Sequence, residues 1–207
     1  MRKPWKALVS VAALLAVATP LMSQQTAKEA EKEAGNAAEY EKILKPADKH
    51  EIMSRFVGTW KGDFTVLLYS SPREATMTHE MRGAWILKDN FLELDTRQNI
   101  KGSILTTKTL IGYNGSWKRF YHLFLTDGEP RGTYSLGSLL RSKNALVFTG
   151  MEDDPISGDA YERRDVYTFV DKDKIGYQLI YRFLDGSEIK VVDGFYTRVQ
   201  DTKPASK

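Results

Sequence analysis

Between Thr59 and Val199 the hydrophobic positions recur every second residue, in short runs broken by turn-forming residues. In the first run Trp60, Gly62, Phe64, Val66 and Leu68 fall on one face, and Lys61, Asp63 and Thr65 on the other. A late run repeats the arrangement, with Ile175, Tyr177, Leu179, Tyr181 and Phe183 opposing Gln178 and Arg182. Period two with one apolar face is the pattern of a strand whose inner side is buried. About ten strands are predicted at the spacing of an all-β sandwich or barrel. They are Thr59–Tyr69, Thr76–Leu87, Phe91–Asn99, Ser103–Tyr113, Arg119–Thr126, Gly132–Leu139, Ala145–Glu152, Tyr161–Val170, Ile175–Phe183 and Glu188–Val199. Lys88-Asp89-Asn90, Asn114-Gly115-Ser116, Asp127-Gly128 and Asp185-Gly186 supply turn chemistry between them. No connection has helical period, so a parallel βαβ sheet is not expected. Closing the sheet on itself removes its edges. The expectation is therefore all-β: a single antiparallel up-and-down barrel of about ten strands over 50–199. A short helix near Asp48–Phe56 would sit at one end.

The N-terminal stretch has a different grammar. Arg2, Lys3 and Lys6 precede an uncharged run from Ala7 to Thr19, and Pro20 and Ser23 follow. That is the layout of a secretory signal peptide over 1–23, with cleavage near Ser23. The run is too short to span a ~30 Å hydrocarbon core, so no stable membrane insertion is expected after cleavage. The region 24–49 is rich in Ala, Glu and Lys and reads as a linker or solvated helix. Residues 200–207 read as a disordered tail. A bacterial-type periplasmic or secreted protein is expected.

Removing the leader changes the charge argument. The chain carries a formal charge of +3, and the leader holds three unopposed basic residues. The mature protein is thus near neutral, which argues against nucleic acid as a partner. The 207 residues include no cysteine. This excludes a disulfide framework, a catalytic thiol, Cys-ligated zinc and lipid attachment after the leader.

Several segments, taken in order, resemble a bacterial family of uncharacterised domains with a lipocalin-like (calycin-type) barrel. They are His50 with Phe56-Val57-Gly58-Thr59-Trp60-Lys61-Gly62, then Trp85-Ile86-Leu87 with Asn90-Phe91-Leu92, and Leu110-Ile111-Gly112-Tyr113-Asn114. Further on come Phe148-Thr149-Gly150 with Asp154-Pro155-Ile156-Ser157-Gly158, Arg164 with Tyr167-Thr168-Phe169, and Tyr196-Thr197-Arg198. The resemblance implies a fatty-acid-binding-protein-like fold over His50 to Val199 and no established activity. Gly58-x-Trp60 is also similar to the first-strand motif of the wider lipocalin superfamily. That likeness implies a Trp60 plug at the closed end, with Arg198 packed across its ring.

Candidate chemistry is sparse. Glu152-Asp153-Asp154-Pro155-Ile156-Ser157-Gly158-Asp159 superficially suggests a cation loop. Its spacing is not that of an EF-hand, and Asp-Pro-x-Ser-Gly is turn chemistry, so no metal is expected. No nucleophile elbow appears, so no catalytic residues are assigned. His79 and His122 are mid-strand with apolar neighbours two residues away. Haem-binding barrels of the nitrobindin type resemble this plan, but they need an axial His on a late strand. None follows His122 here, so no cofactor is expected. Three functions remain open. One is a module binding a small, largely apolar molecule in a lumen lined by His79, Trp85, His122, Tyr177 and Tyr181. Another is a structural or interaction module with a barrel filled by its own side chains. The third is an enzyme using the lumen as a chamber.

Overall fold

A computed structural model describes residues 47–68, 74–154 and 157–200, together with helical positions between 28 and 39. The expected signal peptide and most of the 24–49 segment and of the 200–207 tail lie outside the described residues. The chain divides into two units, Met1–Leu44 and Lys45–Lys207. The second is the barrel.

Helix α1 spans Ala47–Ser54 and is followed by ten strands. These are β1 Gly58–Leu67, β2 Glu74–Ile86, β3 Phe91–Ile100, β4 Ser103–Asn114 and β5 Arg119–Thr126. They continue as β6 Glu129–Leu140, β7 Ala145–Asp153, β8 Ala160–Phe169, β9 Lys174–Phe183 and β10 Glu188–Arg198. The sheet is a closed antiparallel barrel in which each strand pairs with its neighbours in sequence and β1 pairs with β10. Each predicted strand is present. The largest difference is at β6, which begins at Glu129 rather than Gly132. Thr126 pairs with Glu129 and Leu125 with Gly132, so a register irregularity leaves Pro130 and Arg131 unopposed. A proline lacking its N–H is tolerated at such a place.

Turn chemistry departs from the residue types in two places. Gly186 takes a positive φ of 87° in the Asp185-Gly186 turn, as glycine readily does. At the two departing turns, Leu87 takes a left-handed φ beside the expected Lys88 and Asp89, and Lys118 takes one rather than Gly115.

The antiparallel register sorts the strand ends into two rims. At one rim α1 and the turn after it close the barrel. Met53, Phe56, Trp60, Leu92, Leu94, Ile111, Phe148 and Phe169 pack there with hardly any exposure. The Trp60 indole donates to the Phe56 carbonyl at 2.8 Å. The Arg198 guanidinium lies 4.1 Å from the centre of the Trp60 ring. It also donates to the carbonyls of Val57, Arg55 and Lys172. These side chains form the core at this end.

Candidate functional site

The other end of the lumen is open. A cavity of about 430 Å³ enters from the rim formed by the β5–β6 and β7–β8 turns and reaches down to His79 and Tyr177. Met77, Leu179 and Val192 give it apolar wall. Tyr161 and Tyr181, with ring centres 4.4 Å apart, line it on the β8–β9 side.

β8 supplies the polar wall. Its alternation buries Tyr161, Arg163, Asp165, Tyr167 and Phe169 together, which places two opposite charges on the inner face among aromatics. Arg163 grips Asp165 with two hydrogen bonds, Nε–Oδ2 at 2.8 Å and Nη2–Oδ1 at 3.0 Å. Its third donor, Nη1, meets Glu152 Oε1 at 3.0 Å. The flat of the guanidinium lies 4.0 Å from the centre of the Phe124 ring. Glu152 also accepts from the Thr133 hydroxyl, and from the Tyr161 hydroxyl at 2.9 Å. Tyr177 donates to Asp165 at 2.8 Å. Bidentate pairing of this kind is what lets ionised groups stay in a low-dielectric interior. Burial alone would raise the Asp165 carboxyl, but the Arg163 charge and the neighbouring His122 hold it well below the usual carboxylate range. Burial and then the Asp165 charge push the Tyr177 phenol up.

His79 stands apart from this network. Its Nδ1 lies 2.7 Å from the Tyr196 hydroxyl, and its ring stacks on Phe64 at 4.2 Å. Its Nε2 has no hydrogen-bond partner among the described residues. Burial pushes the imidazole down to about 4, so it is neutral at physiological pH.

The structure therefore brings His79, Tyr177 and Tyr181 to the cavity wall. Trp85 and His122 are placed elsewhere. Trp85 lies near the closed end of β2, stacked on His50 with ring centres 4.6 Å apart. His122 is buried behind the wall, 4.4 Å from the Phe148 ring centre and 3.4 Å from Asp165. Arg163 and Asp165 did not figure in the reading of the sequence, and Glu152 figured there only as the start of the rejected cation loop. The signal for the first two was present, since they share the odd-numbered positions of β8 with Tyr161, Tyr167 and Phe169.

The loop after β7 forms a turn held by Asp154. Ser157 N donates to Asp154 Oδ1 and Gly158 N to its carbonyl, both at 2.8 Å, and Gly158 has φ +78°. Among the described residues no group of three or more His, Cys, Asp or Glu is placed to hold a metal ion, and no helix is long and apolar enough to cross a membrane.

The sequence model of a family described as "Protein of unknown function (DUF1579)" matches residues 45–198. No curated protein matches the chain. Among solved structures, the barrel is similar to that of Rv2717c from M. tuberculosis, with a TM-score of 0.54 at 12% identity. That match covers 72% of this chain and 96% of the other. It is also similar to the S-type phycobiliprotein lyase CPES from Guillardia theta, with a TM-score of 0.53 at 10% identity, covering 73% of this chain and 93% of the other. At these identities the likeness establishes a shared lipocalin-like barrel.

Proposed function

The chain belongs to this DUF1579 family of unknown function, and from its cavity we propose that it is an exported binding protein holding a small, largely apolar molecule in the open half of its barrel. The observation that carries this reading is the lumen itself. Ten strands enclose more space than the eight whose interior side chains can just fill. The closed end uses part of that space for core, and about 430 Å³ is left at the other. This lies in the ~300–1,000 Å³ range of small-molecule sites. Met77, Leu179 and Val192 offer apolar contact, and the polar and charged groups that make up much of the remaining lining, Glu152 and Arg163 among them, give orientation. A similar barrel that carries the name of a phycobiliprotein lyase is compatible with a ligand-holding role. The basic, apolar and small segments over 1–23 support export.

The experiment is titration of the mature chain with Nile red, a neutral apolar dye. Saturable binding with a blue-shifted emission is expected. Leu179→Trp, which fills the cavity from its wall, should abolish it while leaving the far-ultraviolet circular dichroism unchanged. Failure of the unaltered protein to bind, or equal binding by the filled variant, would remove the reading.

A further inference from the structure

We propose that the cavity selects an apolar molecule bearing a protonated nitrogen, and that it rejects carboxylates. This rests on the reading of the barrel as a binding protein and names the chemical class of its ligand.

The charges around the cavity are unequal, and its guanidiniums are already paired. Among the described residues two guanidiniums line the cavity, Arg163 in the wall and Arg131 at the rim. Each already has a carboxylate partner. Arg163 is committed to Asp165 and Glu152. Arg131 donates to Glu129 at 3.0 and 2.7 Å, and to the Asp153 carbonyl at 3.2 Å. Against these two cations stand four carboxylates: Glu129, Glu152 and Asp153 in the lining, and Asp165 behind Arg163. Among the described residues no lysine lines the cavity. Even a full positive charge on His122, which touches Asp165 at 3.4 Å, leaves the carboxylates in excess.

An incoming carboxylate would meet an excess of like charge, with both lining guanidiniums already paired, in a half-enclosed space where water screens poorly. An ammonium would meet the Asp153 carboxylate at the cavity mouth, with Glu152, already paired with Arg163, beside it. The paired rings of Tyr161 and Tyr181 add faces that attract a cation. The far wall independently marks the cavity as a ligand site. His79 is 2% exposed, lines the cavity, and has an Nε2 that no described residue satisfies. Buried polar atoms in proteins ordinarily have partners, and a polar atom of the ligand's body could serve.

The test displaces bound Nile red with three molecules of one chain length, octylamine, octanol and octanoate, at neutral pH and low salt. Octylamine should act at about a tenfold lower concentration than octanoate, roughly 1.4 kcal/mol, with octanol between. The rim variant Glu129→Gln/Asp153→Asn, both at exposed positions, should narrow the gap several-fold, each competitor being referred to that variant's own Nile red affinity. Glu152→Gln should narrow it further. Octanoate binding as well as octylamine would overturn the proposal while the binding reading stands. So would a preference for the amine that neither variant alters. Absence of Nile red binding itself would take both down together.

Discussion

Cutting Trp60 to alanine should destabilise the barrel by ~3–5 kcal/mol, the usual cost of truncating a large buried aromatic. It would also orphan the Phe56 carbonyl and leave the Arg198 guanidinium without its ring. Urea unfolding of the variant checks this, and an unchanged midpoint would show that the indole is not core. His79 gives a pH effect of definite sign. Its imidazole is lowered to about 4 in the fold, against about 6.5 in the open chain. The unfolded state therefore binds the proton first. The contribution of His79 is complete above about 6.5 and is lost as pH falls toward 4, about 3 kcal/mol over that window. His79→Gln should flatten the urea midpoint across the same window relative to the unaltered protein. A residue's inward direction was legible in the sequence because strand period is two, and its height along the barrel was not. His79 and Trp85 lie on the same strand, β2, six residues apart. At ~3.3 Å per residue that separation carries one to the cavity and the other to the closed end. Arg163 and Asp165 share a face of β8 by the same period of two, and only their link to Glu152, which arrives from β7, needed the third dimension.

At the scale of the element, β2 and the turn after α1 meet where there is no room for a side chain. A Cβ on Gly83 would stand 2.2 Å from the Phe56 carbonyl oxygen. Gly83→Ala should therefore cost ~1–3 kcal/mol, as overpacking does. Gly176→Ala, where the nearest atom would be 3.4 Å away, serves as the control and should move the denaturation midpoint little. Strand existence and order were readable throughout, since alternation and turn residues agreed from β1 to β10. The start of β6 was not. Pro130 reads as a terminator, and only the irregular register opposite Thr126 lets the strand continue through it.

For the molecule as a whole, export predicts that the mature protein begins close to Gln24. N-terminal sequencing of protein from the periplasm or medium checks it, and an intact Met1 on the mature species would refute export. A chain that crosses a membrane through the secretory channel does so unfolded, and the closed barrel then bears on how it must fold. Every strand pair but one joins neighbours in sequence and can zip as a hairpin. The exception is the β1–β10 seam, where Arg198 reaches the Val57 carbonyl 141 positions away. Long loop closures are slow, and folding rates fall with the separation of the contacts that must form. Until β10 arrives, β1 is an unpaired edge open to any other strand, and the Trp60 ring has no guanidinium over it. Closing the sheet and covering the plug are thus one event, carried by the last strand out. A newly exported chain is at its most aggregation-prone in the interval before that event, when holding factors would have most to do.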